Sequence, residues 1–403
     1  MNILLLNAGS SSLKCTLMEG ANGTAIARGL ADWAGSTTQY QYEGPDGRKH
    51  SENVSWTGHA DAVRRVLHDL MHADPAALPE RSALAAVGHR VVHGGPFTSS
   101  VRITPEIRSR LTALTDLAPL HNPPSLATLA AAEAELPGVP QIAVFDTAFH
   151  ATLPPEARTY PVPGIWTRDW GIRRFGFHGL SHAYCSRRAA ELLGRPLEEL
   201  RLVICHLGHG CSASAVGGGR CVETTMGFTP LDGLMMATRS GSIDPSIVLH
   251  VQQRHGLTAE EVETALNHQS GLLGVSGLSA DMRQILDAVH AGHPQAQLAL
   301  AIYTRRVRQA IGALTVTLGG VDALVFTAGI GEHAGQVREI ICDGLECLGL
   351  ELDAPVNAAC RPDADVARPG SRGRILVIAT REDVTMLREV MQVLGSTARE
   401  GLT

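Results

Sequence analysis

Apolar residues follow two kinds of spacing along this chain. Short apolar runs bounded by polar turns predict strands, and apolar residues three and four positions apart predict helices. Hairpins are predicted at residues 2–6 with 13–18 and at residues 211–216 with 220–224. Further strands are predicted at residues 85–92, 141–145, 202–206, 323–327 and 375–379, and helices at residues 60–71, 125–135, 258–266, 295–318, 337–348 and 382–394.

The two halves of the chain repeat this order of elements. Each half opens with a strand, a turn of small residues and a returning strand, and then alternates apolar strands with helices. A length of 403 residues also exceeds what one hydrophobic core ordinarily serves. We therefore predict a duplicated α/β architecture with a cleft between the halves. Residues 153–171, rich in Pro and aromatics, are the predicted crossing, and the polar residues 19–58 carry no predicted element.

Composition and charge narrow the functional class. The chain has 44% hydrophobic and 18% charged residues, which is typical of a globular protein. Its net charge of -6 argues against nucleic-acid and anionic-membrane partners. No apolar stretch is long enough to cross a bilayer or to form a signal-peptide core. The eight cysteines form no CxxC pair, so we expect reduced thiols and a cytoplasmic location.

Three segments combine small residues with donors that suit phosphate. NAGSSSLK begins at Asn7, LGHGCS begins at Leu207, and AGIGEH begins at Ala328. Glycine lets the backbone approach an anion, while hydroxyls, lysine and free backbone N–H groups donate to its oxygens. Plain hairpin turns and a tight strand-to-helix turn are the alternative interpretations, and GxxxxGK[ST] spacing is absent.

Two arginines stand in short glycine-flanked segments, and two isolated acids stand at predicted strand ends. Arg90 and Arg239 have glycine neighbours, and a guanidinium so placed suits bidentate binding of phosphate or carboxylate. A structural ion pair is the alternative for each. Asp146 and Glu382 suit Mg²⁺, which takes one or two carboxylates together with phosphate oxygens. Helix capping and dipole stabilisation are their alternatives.

Histidines supply the remaining candidate chemistry. His121 lies in a Pro-stiffened loop, and His178 and His182 have a spacing that zinc ligands use on helices. The glutamate of an HExxH motif is missing and Gly179 follows His178, which argues against zinc. A core or helix-capping role is the alternative for each histidine.

Eight segments, read in order, resemble one known family, the acetate kinases of the acetate and sugar kinase, heat-shock chaperone and actin superfamily. They cover nearly the whole chain. The segments are NAGSSSLK at Asn7, HRVVHGG at His89, APLHNPP at Ala118, FDTAFHATLP at Phe145, GIRRFGFHGLSH at Gly171, MGFTPLDGLMMATRSGSIDP at Met226, SGLLGVSGLSADMR at Ser270 and FTAGIGEH at Phe326.

The resemblance implies a duplicated ribonuclease-H-like, actin-like ATPase fold with an interdomain cleft. An N-terminal domain would comprise residues 1–150 with the C-terminal helix 382–403, and a nucleotide-binding domain would comprise residues 151–381. The resemblance also implies a homodimer that binds ATP or ADP and acts on acetate or another short carboxylate. It implies Mg²⁺ as the cofactor, with Mn²⁺ as a possible substitute.

The family's functional residues carry over by matching position. The implied catalytic residues are Asp146, Arg90, Arg239, His178 and His121, and the implied metal-associated residues are Asn7, Asp146 and Glu382. The implied substrate pocket comprises Arg90, Val92, Leu120, Phe177 and Pro230. The implied nucleotide contacts are Ser10, Ser12, Lys14, His206, Gly208, His209, Gly210, Asp281, Met282, Arg283, Gly329, Ile330, Gly331 and His333.

The sequence departs from the family's usual pattern at four positions. His209 stands where the HLGNG loop has asparagine, and Cys211 is the small residue after it. Ala237 replaces a usual glycine, and His333 replaces a usual asparagine. Imidazole also donates hydrogen bonds, so we expect activity to survive, while ATP and pyrophosphate both stay open as phosphoryl donors.

The implied chemistry needs charge neutralisation rather than a base. A carboxylate substrate is already ionised at pH 7, because carboxyl pKa values lie at about 4–5. We therefore predict direct in-line transfer of the ATP γ-phosphoryl group to acetate, giving acetyl phosphate and ADP. A propionate-preferring kinase of the same family is the nearest alternative. A catalytically weak nucleotide-binding protein on the actin-like fold is the alternative from a different class.

Overall fold

A computed structural model describes residues 1–20, 22–115 and 122–400, and the chain divides into two compact units. The first unit comprises Met1–Phe149 and Arg381–Thr403, and the second comprises His150–Thr380. The strands are β1 Asn2–Ala8, β2 Ser12–Glu19, β3 Ala25–Asp32, β4 Thr38–Glu43, β5 Lys49–Val54, β6 Leu84–Val91, β7 Val101–Arg102, β8 Gln141–Phe145, β9 Arg201–Leu207, β10 Cys211–Gly217, β11 Arg220–Thr224, β12 Ala323–Thr327, β13 Ala364–Asp365 and β14 Arg374–Val377.

The α-helices are spread over both units. They are α1 His59–His72, α2 Pro105–Thr112, α3 Asn122–Glu135, α4 Pro155–Arg158, α5 Gly164–Arg168, α6 Gly179–Leu193, α7 Pro245–His255, α8 Ala259–His268, α9 Gly271–Ser276, α10 Met282–His290, α11 Pro294–Thr317, α12 Ala328–His333, α13 Gly335–Cys342, α14 Ala354–Ala358 and α15 Glu382–Glu400. Within the described ranges, none is long and apolar enough to cross a bilayer.

The first unit is built on an eight-stranded mixed sheet in the order β5-β4-β3-β2-β1-β6-β8-β7. β1 is antiparallel to β2 and parallel to β6, which is parallel to β8. Its core packs sheet residues such as Leu4 and Tyr40 with Val63, Val66 and Leu67 of α1. The carboxyl ends of β1, β6 and β8 therefore meet at one edge of this sheet.

The second unit repeats this topology in a six-stranded sheet of order β11-β10-β9-β12-β14-β13. β9 is antiparallel to β10 and parallel to β12, which is parallel to β14. The series β11-β10-β9-β12-β14 thus matches β3-β2-β1-β6-β8 in order and in strand direction. The predicted duplication of an α/β fold is confirmed.

Two parts of the sequence prediction were wrong. Residues 19–58 contain β3, β4 and β5. The buried positions of β4 are Thr38, Tyr40 and Tyr42. Because threonine and tyrosine carry polar groups, β4 lacks a clear alternation of apolar and polar residues, and the strand was not predicted. The helix predicted at 337–348 ends at Cys342, because Gly344 takes a left-handed φ of 88° and a separate 3-10 turn follows.

Candidate active site

Three polar side chains meet where parallel strands of the first unit end. Asn7 lies near the end of β1, Arg90 near the end of β6, and Asp146 directly after β8. Arg90 Nε donates to Asp146 Oδ1 at 3.1 Å, and Arg90 Nη2 donates to Asp146 Oδ2. Arg90 Nη1 donates to Asn7 Oδ1 at 3.2 Å. The sheet topology thus brings together residues that lie up to 139 positions apart in the sequence.

This guanidinium is held in its charged form. The Arg90 side chain is 17% exposed and that of Asp146 is 1% exposed, so the pair is largely shielded from water. Burial alone would lower the pKa of Arg90, but the charges of Asp146 and then Glu382 outweigh it and raise the pKa. Glu382 lies in the first turn of α15, whose residues pack near β6 and β8. The structural ion pair considered as an alternative for Arg90 is therefore present.

The same edge offers oxygen donors suited to a hard divalent cation. Asp146 and Glu382 contribute carboxylates, and Asn7 contributes an amide oxygen. Among the described residues, no group of three or more His, Cys, Asp or Glu side chains could hold a metal by itself. Mg²⁺ retains waters and takes only one or two carboxylates with phosphate oxygens, so this donor set fits it when a nucleotide supplies the rest.

The turn after β1 carries the first phosphate candidate. Ser10 is exposed, Ser12 is half-buried and Lys14 is exposed on β2, directly across from Asn7 in the sheet register. The backbone N–H of Gly9 donates to the Ser12 carbonyl oxygen at 2.8 Å, which closes a tight turn. The turn therefore presents hydroxyls and an ammonium group beside the Asn7 edge.

Two stacked imidazoles occupy the second unit. His178 precedes α6 with a left-handed φ of 56°, unusual for a residue with a side chain. Its ring lies 4.0 Å from that of His206, centroid to centroid. His178 Nδ1 lies 2.9 Å from Ser212 Oγ, and His206 Nδ1 lies 2.8 Å from Ser181 Oγ. Serines thus hold the same nitrogen of both rings.

The turn between β9 and β10 contains Gly208, His209 and Gly210 and lies against these imidazoles. A Cβ atom added to Gly210 would lie 3.3 Å from His178 Nε2 and 3.6 Å from Arg239 Nη1. One added to Gly208 would lie 3.7 Å from His206 Nε2. The glycine turn, the imidazole Nε2 atoms and the Arg239 guanidinium are therefore assembled in one place.

Arg239 differs from Arg90 in its surroundings. It is half-buried, and its hydrogen bonds within the described ranges go to the Pro230 carbonyl oxygen at 3.4 Å and to the Met236 sulfur at 3.9 Å. No carboxylate pairs with it there. Burial lowers its pKa, as expected for a guanidinium without a counter-charge. Partial burial and then the Arg239 charge also lower the pKa of the neighbouring His209. This corner of the second unit is electropositive.

The other implied nucleotide contacts lie at the start of α10 and within α12 in the second unit. Asp281 caps α10 by accepting from the Arg283 N–H at 2.9 Å and pairs with the exposed Arg283 side chain, while Met282 is buried. In α12, Gly329 and His333 are exposed and Ile330 is half-buried.

Arg338 and Glu332 support α12 at its two ends through hydrogen bonds. Buried Arg338 donates to the carbonyl oxygens of Gly331 and Glu332, each at 2.9 Å. Glu332 Oε1 accepts from the backbone N–H groups of Ala328 and Thr380. Sequence reasoning missed Arg338 and Glu332 as supports. An arginine seven residues after the Gly-x-Gly segment could have signalled that carbonyl oxygens needed a donor.

The implied substrate pocket is placed only in part. Val92 is 5% exposed in the first unit, and Phe177 is 1% exposed in the second, where its carbonyl oxygen accepts from His150 Nε2. Pro230 is half-buried and its carbonyl oxygen accepts from Arg239. Leu120 and His121 lie outside the described residues.

Comparison with known proteins agrees with this architecture. The family model described as "Acetokinase family" matches residues 2–388. An acetate kinase from Thermoanaerobacterium thermosaccharolyticum is 44% identical over 98% of this chain and all of its own length. The crystal structure of Porphyromonas gingivalis acetate kinase is 38% identical, with a TM-score of 0.90, and covers 98% of this chain and 99% of its own. A propionate kinase from Francisella tularensis is 37% identical, with a TM-score of 0.89, over 96% and 98% of the two chains.

These matches and the duplicated sheet topology define the class first. The chain is a two-sheet α/β protein whose architecture agrees with the two-domain actin-like ATPase fold. Within that class, it belongs to the acetokinase family.

Proposed function

We propose that this chain catalyses reversible transfer of the γ-phosphoryl group of ATP to acetate, giving acetyl phosphate and ADP. The observation that carries the proposal is Arg239, a half-buried guanidinium with no carboxylate partner in the described chain, set against a glycine turn and His178 Nε2. A positive site of this kind is completed by an anion. The matched curated relative is named acetate kinase, which supports acetate as the acceptor.

The reaction brings two anions together, so its barrier is largely electrostatic. Acetate is ionised at neutral pH and needs no general base, unlike an alcohol acceptor. We assign Arg239 and His178 to the transferring phosphoryl group, since their N–H groups suit the oxygens that gain charge. Arg90 is assigned to the carboxylate or phosphoryl oxygens, with Asp146 and Asn7 fixing the orientation of its guanidinium. His121 is proposed to assist.

A divalent cation is proposed at the strand ends of the first unit. Asn7, Asp146 and Glu382 would hold Mg²⁺, or Mn²⁺ in its place, through oxygen atoms and associated waters. When bound, the cation would neutralise phosphate charge and orient the nucleotide. Asp146 already accepts from Arg90 through both oxygens, so we assign it to arginine orientation as well as to the cation.

The nucleotide and the acetate methyl group have separate proposed contacts. Polyphosphate would lie along the two turns of small residues, and adenosine would lie between the α10 and α12 starts. The methyl group would contact Val92, Leu120, Phe177 and Pro230. Proposed phosphate and adenosine contacts are Ser10, Ser12, Lys14, His206, Gly208, His209, Gly210, Asp281, Met282, Arg283, Gly329, Ile330, Gly331 and His333. We further propose a cytoplasmic location and a homodimeric state. Light scattering on the purified protein tests the homodimer.

Propionate is a second candidate acceptor, because a solved propionate kinase matches this chain nearly as well as an acetate kinase does. One methylene in an apolar pocket changes specificity by about 1–3 kcal/mol. Purified protein should be assayed with acetate, propionate and butyrate by trapping acyl phosphate with hydroxylamine. We expect the highest kcat/KM for acetate. A higher value for propionate would move the assignment to that acceptor.

The phosphoryl donor is tested in the same assay. His209 and His333 stand where the family's usual residues are asparagine, so ATP and pyrophosphate should be compared at equal Mg²⁺. We expect ATP to support acyl phosphate formation and pyrophosphate to fail. No acyl phosphate with either donor and any of the three acceptors would overturn the proposed function.

A further inference from the structure

Ser212 and His182 form a buried pair behind His178. His178 Nδ1 and His182 Nε2 lie 2.9 Å and 2.8 Å from the same atom, Ser212 Oγ. Ser212 and His182 are both fully buried. One hydroxyl group has a single proton, so it can donate to only one of the two imidazoles and must accept from the other. The direction of these bonds decides which nitrogen of His178 carries a proton.

The surroundings of His182 fix that direction. Its other nitrogen, Nδ1, has no hydrogen-bond partner within the described chain. Burial, with His150 and His206 nearby, lowers the pKa of His182 well below its ordinary value, so the ring is neutral. A buried N–H without an acceptor is costly and rare. The single proton of His182 therefore belongs on Nε2, from which it is donated to Ser212 Oγ.

The hydrogen bond from His182 to Ser212 determines which nitrogen of His178 is protonated. Because its oxygen accepts from His182, the Ser212 hydroxyl proton is free to be donated to His178 Nδ1. Neutral His178 then carries its proton on Nε2, the atom that faces the Gly210 backbone in the glycine turn. An imidazolium at His178 would bring a second N–H to Ser212 Oγ and leave the hydroxyl proton without this acceptor.

The neighbouring imidazole shows the same arrangement. Thr380 Oγ1 donates to Ser181 Oγ at 3.0 Å, and Ser181 Oγ lies 2.8 Å from His206 Nδ1. The Ser181 proton is then available to His206 Nδ1, which leaves the proton of a neutral His206 on Nε2, beside Gly208. Two stacked rings thus present the same edge to the glycine turn.

We propose that Ser212 and His182 are positioning residues that hold His178 as the Nε2–H tautomer, so that it presents a hydrogen-bond donor to the transferring phosphoryl group. The proposal rests on the proposed function for the identity of that group. In the opposite tautomer, a lone pair on Nε2 would face the negatively charged oxygens. The pair therefore prepares a donor before substrate arrives, without touching substrate itself.

The kinetic test uses two serines of the same strand. Ser212→Ala removes the hydroxyl between the imidazoles, while Ser214→Ala removes an equally buried hydroxyl that bonds Thr224 Oγ1 at 2.9 Å. We expect Ser212→Ala to lower kcat about 10- to 100-fold, the scale measured for hydrogen-bond partners that orient metal-bound histidines, with little change in the KM for ATP. Ser214→Ala should keep the kcat of the unsubstituted protein, and Ser212→Thr should restore much of what alanine loses.

The spectroscopic test reports the tautomer itself. Long-range ¹H–¹⁵N spectra of ¹⁵N-histidine-labelled protein distinguish protonated from unprotonated ring nitrogens, and His178→Asn identifies the His178 signals. We expect protonated Nε2 and unprotonated Nδ1 at His178 in the unsubstituted protein, and loss of this single pattern in Ser212→Ala. Protonated Nδ1 in the unsubstituted protein would overturn the proposal, even if Ser212→Ala failed to fold.

The positioning role of Ser212 and the proposed kinase function can fail separately. A folded Ser212→Ala protein with unchanged kcat would overturn the positioning role while acyl phosphate formation by the unsubstituted protein upheld the proposed function. Conversely, absence of acyl phosphate from the unsubstituted protein would overturn the function, and the spectra would still decide the tautomer of His178.

Discussion

Arg90 and Arg239 carry the same charge in different surroundings. Asp146 and Asn7 hold Arg90 in a fixed orientation, whereas the Arg239 guanidinium donates hydrogen bonds only to a carbonyl oxygen and a sulfur among the described residues. A guanidinium that already has a carboxylate serves mainly as an oriented donor. One without a counter-charge gains most when a phosphoryl group arrives, which assigns transition-state stabilisation chiefly to Arg239.

Removal of the Arg239 guanidinium should therefore affect turnover more than binding. We expect Arg239→Ala to lower kcat by about 10³-fold, the scale of an arginine in phosphoryl transfer, with a much smaller rise in the KM for acetate. Steady-state kinetics with varied acetate measures both constants. Arg254→Ala, at an exposed position in the last turn of α7, should leave both unchanged. An Arg239→Ala protein with ordinary kcat would remove Arg239 from the mechanism.

The Arg90 and Asp146 pair should show separate effects on stability and activity. Asp146→Asn leaves a largely buried guanidinium without its bidentate partner, so we expect the free energy of unfolding to fall by about 3 kcal/mol and activity to be lost. Adding Arg90→Gln to this variant removes the unpaired charge. The double variant should recover stability in urea unfolding while remaining inactive. Recovery of activity together with stability would make the pair purely structural.

At the scale of elements, the turn between β9 and β10 depends on the absence of a side chain at residue 210. A methyl group there would lie 3.3 Å from His178 Nε2, which is tight enough to shift the imidazole, and 3.6 Å from Arg239 Nη1, which is an ordinary contact. We expect Gly210→Ala to lower kcat by about 10-fold or more, since small misplacements of reacting groups are costly. Melting temperature should change little, because the contact involves side-chain ends.

Gly312→Ala provides the matched control for this substitution. Gly312 lies within α11, and an added Cβ would meet no heavy atom within 4 Å. Alanine should raise the free energy of unfolding by about 0.5–1 kcal/mol and leave kcat unchanged. If Gly210→Ala behaved in the same way, the turn would have no role in positioning His178 or Arg239.

Elements with a clear hydrophobic pattern were predicted correctly from the sequence, and elements without one were missed. β1, β8, β9 and β12 are continuous apolar runs, and α11 has a long periodic pattern, so all were predictable. β4 was not, because its buried positions are threonine and tyrosine. Arg90 and Asp146 were singled out separately, but their direct pairing depends on strand order, which the hydrophobic pattern does not give. Ser212 and His182 meet only through the contact between α6 and β10.

For the whole molecule, buried histidines in both units link stability to pH. His89 in the first unit and His150 in the second are fully buried, and burial lowers the pKa of each from 6.5 to about 4. The unfolded chain therefore binds more protons than the folded one between these values, and stability must fall as pH falls from about 6.5 towards 4. Each histidine contributes about 3 kcal/mol over this window.

Melting temperature measured from pH 7 to pH 4.5 tests this linkage. We expect a steady decrease that begins below about pH 6.5, because a neutral imidazole with its ordinary pKa near 6.5 becomes charged on unfolding. His290→Gln, at an exposed position at the end of α10, should follow the same curve as the unsubstituted protein. A melting temperature independent of pH over this range would show that these imidazoles are not buried in the neutral form.

The central claim is that an acetate oxygen forms the new bond to the phosphorus that ATP supplies, assisted by arginine and imidazole donors. The most direct measurement is ³¹P NMR of the purified protein with ATP, Mg²⁺ and ¹⁸O-labelled acetate. The account requires an acetyl phosphate signal displaced by the isotope, since the bridging oxygen comes from acetate. ADP and unlabelled inorganic phosphate as the only products, or acetyl phosphate without the isotope shift, would contradict it.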